Sequence, residues 1–196
     1  MENTDKSLIE AHCRGDGKAF AELVRRYGDS VLGYLRKLSG RPEQAEDLFQ
    51  ETFKRVHEKA HTFRGSQFKA WLFKIATNVA IDSLRRRKRF KVVSLNQGFD
   101  CPKGSRQELG MTVAANNCPE PSDEAMRTEQ RQQVRQAIGL LPERQRATLV
   151  LAYYQQLSYG EVAMVLGCSI GTVKIQMYRA LKTLAEKLPE IGRGAK

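Results

Sequence analysis

Apolar residues recur along this chain at intervals of three and four, a pattern that predicts helices rather than strands. The first apolar stripe runs from Lys18 to Leu38 and stops at the turn-forming residues 39–42. A second helix is expected from about Pro42, which stands in the first turn, where a missing N–H costs least. A third is expected from about Phe68, and it runs into a cluster of basic residues. We find no convincing alternation of β-branched residues, so the fold class is predicted to be all-α.

The composition changes between residues 95 and 124, where Gly, Pro, Asn and Ser occur without a clear period. Such a segment is typical of a linker, and helical periodicity resumes after it. The sequence therefore predicts two small helical domains, at 5–92 and 125–189, joined by a flexible linker at 93–124.

The second domain carries the sharpest local signals. After a helix expected over 142–154, Ser158 and Glu161 have the spacing of a capping box at a helix start. Gly167 suits the end of the short helix that follows, and Ser169 can cap the next one. Two short helices joined by a tight turn that contains Gly form a helix-turn-helix.

On a helical wheel, the helix that follows Ser169 has an apolar side and a polar side. The predicted core stripe consists of Ile170, Val173, Met177, Ala180, Leu181, Leu184 and Leu188. Polar residues at the outward N-terminal end of such a helix are typical of major-groove reading, and cations there suit phosphates. The candidate DNA-binding residues are Ser169, Gly171, Thr172, Lys174, Ile175, Gln176 and Arg179. Ile175 either touches a thymine methyl group or is merely exposed, and the alternative for the whole motif is a helical hairpin with a solvated face.

The predicted helix that begins at Phe68 is apolar on two sides, which indicates a largely buried helix crossed by one polar stripe. Aromatic rings stack on unpaired bases, amides bond base edges and cations hold phosphates, so this stripe and its surroundings are typical of single-stranded nucleic-acid binding. Trp71, at the edge of the stripe, is on burial tendency alone a core residue. The candidate residues are Phe63, Arg64, Trp71, Lys74, Asn78, Arg85, Arg86 and Lys88.

The helix expected from Pro42 is acidic, although the protein as a whole is basic. Asp47 and Glu51 are four residues apart on one face, and like charges at that spacing cost a few tenths of a kcal/mol. One interpretation is a solvated face, and the other is a docking surface for a basic protein partner. The candidate residues for docking are Glu46, Asp47, Gln50 and Glu51.

Charge and composition narrow the classes of function. The 196 residues carry a formal net charge of +11 and a pI of about 9.7. This charge favours an anionic partner such as nucleic acid, and the alternative is a solvated basic surface that binds no such partner. The polar N-terminus and the lack of an apolar run of roughly 18 residues predict a cytoplasmic protein without membrane insertion. Cys13, Cys101, Cys118 and Cys168 stand far apart, so free thiols are expected and neither a metal site nor a cofactor is predicted.

Three segments together resemble the extracytoplasmic-function (ECF, group 4) sigma factors of the sigma-70 family: AEDLFQETFKRV, FRGSQFKAWLFKIATNVAIDSLRRRKR and LPERQRATLVLAYYQQLSYGEVAMVLGCSIGTVKIQMYRAL. The resemblance implies a sigma region 2-like helical bundle followed by a sigma region 4-like helix-turn-helix domain. It also implies a non-catalytic subunit that binds core RNA polymerase and directs promoter recognition, melting and initiation at a regulated, stress-type set of promoters.

The resemblance implies partners as well. Asp47, Gln50 and Glu51 would meet the β′ clamp helices of core polymerase, and the β flap would be a further contact. The aromatic and cationic candidates of the first domain would lie near the −10 element, with Asn78 in a pocket for a flipped base. The helix from Ser169 would enter the major groove at the −35 element, so promoter DNA would be bound both as duplex and as single strand. The linker would pass through the polymerase, and an anti-sigma factor is a common partner in this family.

The chain departs from the family pattern at Thr77, at Ile175-Gln176 and in its long linker, which carries no interpretable motif, and two other classes of protein stay open. Thr77 stands where the family often has Arg. Ile175-Gln176 stand where the family often has Ser-Arg, so its −35 contacts do not transfer residue by residue. An ordinary regulator with an N-terminal sensor would leave the tryptophan-bearing basic helix unexplained. A recombinase would need a Ser nucleophile or a carboxylate cluster with a metal, and neither occurs here in a convincing context.

Overall fold

The computed structural model describes residues 4–65, 67–96 and 121–193, with side chains described up to Arg87, at Thr128 and from Gln130 to Leu188. All regular elements within these ranges are helical, which confirms the all-α prediction. In chain order they are α1 (Asp5–Cys13), α2 (Gly17–Ser39), α3 (Pro42–Lys59), a 3₁₀ turn (Ala60–Thr62), α4 (Phe68–Asn96), α5 (Pro121–Leu140), α6 (Glu143–Leu149), a π turn (Val150–Tyr154), α7 (Tyr159–Leu166) and α8 (Ile170–Arg193).

Helices α4 and α5 extend into the interval assigned to the linker from both of its ends. Helix α4 continues to Asn96, and α5 already begins at Pro121. The remainder of the predicted linker, residues 97–120, lies outside the described residues.

Helix α1 was not predicted from the apolar pattern, because it buries only Leu8 and Ile9. Its start carries a local signal all the same: the Ser7 N–H donates a hydrogen bond to Thr4 Oγ1 at 3.2 Å. The single helix predicted over 142–154 is also wrong in detail. Helix α6 ends at Leu149, and the chain continues as a π turn, a wider coil that apolar spacing alone does not distinguish from an α-helix.

The N-terminal domain is built around α4, whose two apolar sides are both buried as predicted. Phe68, Leu72 and Phe73 are each no more than 1% exposed, and α4 packs against α2 and α3. A helix covered on both sides presents only a narrow polar strip to solvent. The side chains along that strip are therefore held by a rigid element.

The C-terminal domain shows the predicted helix-turn-helix. Ser158 and Glu161 form the capping box at the start of α7, and Gly167 has a φ of +62°, the left-handed conformation that ends α7. Two members of the predicted core stripe are wrong, since Ile170 and Leu181 are 49% and 53% exposed. At 100° per residue they lie roughly 50° and 70° from the centre of the buried stripe, at its edge, where a side chain stays partly in solvent.

The two domains contact each other. Helix α4 packs against α7, and α2 packs against α5 and the π turn. Lys37 Nζ of α2 lies 4.5 Å from the centroid of the Tyr154 ring, a cation–π contact across the boundary. Burial, with the nearby Arg135 charge as the smaller cause, lowers the pKa of Lys37.

Candidate nucleic-acid interface

Three aromatic rings form a cluster where the loop before α4 meets the first turn of that helix. The Phe63 ring lies 5.3 Å from Trp71 and 5.6 Å from Phe68, and the Phe68 and Trp71 rings lie 5.7 Å apart. Phe68 is buried, whereas Phe63 and Trp71 are half-buried. The buried ring therefore anchors two rings that keep part of their surface in contact with solvent. Trp71 thus packs partly in the core and leaves part of its ring exposed, where a base could stack on it.

An open pocket of about 460 Å³ lies beside this cluster. Its lining consists of Phe63, Arg64, Gly65, Gln67, Ala70, Trp71, Lys74 and Met164. Four of the residues predicted for single-strand binding thus share one concave surface, which offers aromatic faces and the exposed cations of Arg64 and Lys74. That combination suits an unpaired nucleobase and its phosphate.

The remaining predicted residues of this surface lie farther along α4. Asn78 is exposed one turn beyond Lys74, and it does not line the pocket. Arg85 and Arg86 are exposed about two turns further on, while the side chain of Lys88 lies outside the described residues. The predicted set therefore divides into a pocket group and a group along the strip.

Thr77 lies next to this strip in sequence but points into the core, where it is 1% exposed. Its hydroxyl donates a hydrogen bond to the Phe73 carbonyl oxygen at 2.6 Å. The Thr77 hydroxyl oxygen is also 2.7 Å from the Tyr34 hydroxyl oxygen. Because Thr77 gives its own proton to Phe73, the Tyr34 O–H is the donor in this second bond. Burial raises the pKa of Tyr34 well above its usual range, which keeps that proton in place. At the position where the resemblance leads one to expect Arg, this chain therefore has a buried Thr whose hydroxyl joins α2 to α4.

The acidic residues of α3 are not equivalent in the structure. Glu46 lies 3.6 Å from the Arg36 guanidinium of α2, and Glu51 lies 2.7 Å from that of Arg55. Asp47 is exposed, as is the adjacent Gln50. The two arginines were not foreseen as partners, although Arg55 stands at the i+4 spacing from Glu51 that favours an ion pair. Asp47 is therefore the carboxylate most open to a partner.

Helix α8 begins with an internally bonded cap. The Thr172 N–H donates to Ser169 Oγ at 3.1 Å, and the two hydroxyl oxygens lie 2.9 Å apart. These hydroxyl groups are therefore engaged with each other at the start of the helix, and the outward side chains beyond the cap do not take part in it. Gly171, Lys174, Ile175 and Arg179 are exposed, and Gln176 is half-buried.

An apolar feature of this outward face was missed. Tyr178 is 68% exposed, three residues after Ile175, which is itself 53% exposed. Their spacing puts both side chains on the side of α8 opposite the core. The signal was present in the sequence, since Tyr178 lies well outside the predicted apolar stripe.

Comparison with known proteins places these surfaces in two recognised regions. The family model of Sigma-70 region 2 matches residues 23–90, and that of Sigma-70, region 4, matches residues 131–184. The chain is 31% identical over 195 residues to the ECF RNA polymerase sigma factor SigW of Bacillus subtilis, covering 97% of this chain and 100% of that protein. The chain belongs to the ECF sigma factors.

Other relatives agree with this membership. The RNA polymerase sigma-H factor of Pseudomonas aeruginosa is 32% identical, with 97% of each chain covered. Among solved structures, the sigma factor RpoE of Bartonella quintana, in complex with the anti-sigma factor NepR, matches with a TM-score of 0.68. That match has 27% identity and covers 88% of this chain and 98% of the other. The sigma factor described here is thus a non-catalytic subunit that directs RNA polymerase to promoters.

The structure also bears on the predictions about cysteines, metal ions and the membrane. Cys13 and Cys168 are free thiols, while Cys101 and Cys118 lie outside the described residues. In the part of the chain that the structure describes, no group of three or more His, Cys, Asp or Glu residues could hold a metal ion. None of the described helices combines the length and apolar character that a membrane span needs.

Proposed function

We propose that three surfaces of this sigma factor have separate tasks. The acidic surface of α3 binds the basic clamp helices of the polymerase β′ subunit, and Asp47 with Gln50 makes the first contact. Their exposure supports this assignment, as does the placement of carboxylates on an otherwise basic chain. Glu46 and Glu51 flank the contact, each already beside an arginine.

The pocket and the strip of α4 bind the unwound −10 element. The observation that carries this proposal is the convergence of Phe63, Arg64, Trp71 and Lys74 on one open pocket. An extruded base stacks there, while Asn78 bonds the edge of a base and Arg85 and Arg86 hold phosphates. Lys88 extends the same cationic run in sequence.

The outward face of α8 reads the −35 element in the major groove. Exposed Lys174 and Arg179 suit phosphates, Gln176 suits an adenine edge, and Ile175 suits a thymine methyl group. The second domain also contacts the β flap, and the linker 93–124 passes through the polymerase.

Regulation of this sigma factor involves an anti-sigma factor. Support comes from the similarity to RpoE, whose structure was solved with the anti-sigma factor NepR. The chain acts in the cytoplasm, where its polymerase and DNA partners are found, at a regulated set of promoters.

The test is transcription with purified components. The chain is added to core RNA polymerase and a genomic template, and new discrete transcripts are expected that core polymerase alone does not produce. An ordinary duplex-binding regulator would bind the template without starting transcripts at defined positions. Failure of the chain to co-purify with core polymerase, in the absence of any inhibitor, would overturn the proposal.

A further inference from the structure

A side-chain bridge joins α3 to the basic end of α4. The Gln44 side-chain amide donates a hydrogen bond to the Ser83 hydroxyl oxygen at 3.1 Å, and the Gln44 side-chain oxygen accepts one from the Arg87 guanidinium at 3.1 Å. Gln44 and Ser83 are half-buried, whereas Arg87 is exposed. Because both ends of the amide are engaged, its orientation is fixed, and Gln44 holds the guanidinium in a defined place.

The bridge shows that the basic cluster of α4 is divided between two sides of the helix. At 100° per residue, Arg85 lies about 20° from Asn78 and therefore belongs to the candidate −10 strip. Ser83 and Arg87 lie about 140° and 180° from Asn78, on the side of α4 that meets α3. Since a helix with its side chains is about 10 Å across, a DNA strand that lies along the strip does not bring the same phosphate to Arg87.

The partner of Arg87 is a neutral amide, which leaves the positive charge of the guanidinium uncompensated. Farther along α3 the partner of an arginine is a carboxylate, because Glu51 lies 2.7 Å from Arg55. A carboxylate in place of the Gln44 amide would form an ion pair with Arg87 and reduce its attraction for an anion. Gln44 therefore orients a cation and keeps it available to an anionic ligand.

A phosphodiester group of DNA is the anion that suits this site. The planar guanidinium of Arg87 carries five N–H donors, of which one is engaged with Gln44, and its forked shape matches phosphate oxygens. Arg41 is exposed and immediately precedes α3, one turn before Gln44. It adds a second cation at the same end of that helix, so the two arginines favour an extended polyanion over a small anion.

We infer that Gln44 is a positioning residue, which presents Arg87 to a backbone phosphate of promoter DNA outside the segment that lies along the strip. The inference rests on the proposed function of the strip, because a strand held by Asn78 and Arg85 leaves the opposite side of α4 to other phosphates. Gln44 also lies one turn before Asp47 on α3. The phosphate site and the proposed polymerase contact are thus carried by one helix.

The first test measures the affinity of the holoenzyme for a promoter fragment recovered from the transcription assay. Arg87→Ala should weaken binding about tenfold, and Gln44→Ala about threefold, because the first change removes the guanidinium and the second only loosens it. The double variant should bind no more weakly than Arg87→Ala, since Gln44 acts through Arg87. Arg14→Ala is the matched control: it removes an exposed arginine just after α1 and should change the affinity less than twofold.

Gln44→Glu separates positioning from support of the fold. A carboxylate still bonds both Ser83 and Arg87, so the midpoint of urea unfolding should not fall. The same carboxylate neutralises the guanidinium, so promoter affinity should fall at least as far as in Gln44→Ala. If Gln44→Glu binds the promoter as tightly as the unaltered chain, or if the effects of Gln44→Ala and Arg87→Ala are additive, the inference is wrong.

The second test locates the contacted phosphate with single methylphosphonate groups, each of which removes the charge of one phosphate. Such a group should weaken binding of the unaltered holoenzyme wherever a phosphate is contacted, and Arg87→Ala should abolish that effect at one position. The position shows whether the phosphate lies in paired or in unwound DNA, and it should differ from the position that Arg85→Ala makes insensitive. If the two variants affect the same position, or if Arg87→Ala affects none, the inference fails while the proposed −10 strip stands. If Arg85→Ala affects none, the proposed role of the strip is wrong instead.

Discussion

The hydrogen bond between Tyr34 and Thr77 joins α2 to α4, the helix that carries the candidate −10 site, inside the core. Both side chains are at most 1% exposed, and their oxygens are 2.7 Å apart. Thr77→Val keeps the shape of the side chain but removes the acceptor for the Tyr34 O–H. A buried hydroxyl left without a partner costs about 1–3 kcal/mol, whereas Tyr34→Phe should cost only about 1 kcal/mol, since Thr77 keeps its bond to Phe73.

A double-mutant cycle separates this bond from the other effects of the substitutions. Once Tyr34 is Phe, Thr77→Val strands no hydroxyl, so the pair should cost less than the sum of the single variants by about 1 kcal/mol. Thr52→Val is a matched control: Thr52 is equally buried in the same domain, and its hydroxyl donates to its own helix, to the Leu48 carbonyl oxygen at 2.6 Å.

Urea unfolding, followed by Trp71 fluorescence, measures these free energies in the domain that contains the bond. The slope of the free energy with urea should stay the same while the midpoint falls. If Thr77→Val costs no more than Thr52→Val, or if the free-energy costs of the two substitutions in the cycle are additive, the bond does not hold α2 and α4 together.

Three further predictions concern the proposed contacts. Asp47→Lys should weaken binding to core polymerase by about tenfold in a fluorescence titration, because it sets a like charge against a basic surface, while Glu58→Lys at the far end of α3 should not. Asn78→Ala should leave core affinity unchanged and impair promoter opening, since a base-edge bond is worth about 1–3 kcal/mol; unaltered permanganate footprints would contradict the base-binding role. Replacing thymine by uracil across the −35 element should weaken binding about fourfold per methyl group that Ile175 buries, and Ile175→Ala should remove that sensitivity. Equal sensitivity of both proteins would rule out methyl contact by Ile175.

Helix caps and turns were predicted correctly because the hydrogen bonds that form them join residues close together in the sequence. The capping box of Ser158 and Glu161, the left-handed turn at Gly167 and the cap at Ser169 each involve atoms within four residues of one another. The π turn after α6 was missed because it differs from an α-helix by one residue per hydrogen bond, and its five residues are too few for apolar spacing to reveal that difference.

The candidate site was predicted residue by residue but not as a surface. Phe63, Arg64, Trp71 and Lys74 were each recognisable by type, and the structure adds that they surround one pocket from which Asn78 is set apart by a turn. Thr77 directly precedes the exposed Asn78 in the sequence, yet it is buried and bonded to Tyr34, which lies 43 residues away in the sequence.

The contact between the domains could not be predicted from the sequence, because of the kind of atoms that form it. The donors in its three described hydrogen bonds are side chains of Lys69, Arg146 and Gln155, and every acceptor is a backbone carbonyl oxygen. Any residue supplies such an oxygen, so the partner position leaves no mark in the sequence. Arg146 shows why the structure must supply it: the Leu38 carbonyl belongs to the last turn of α2, where helical carbonyls lack partners within the helix. The position of a helix end in space, and not the identity of the residue there, makes it available to an arginine 108 residues further on.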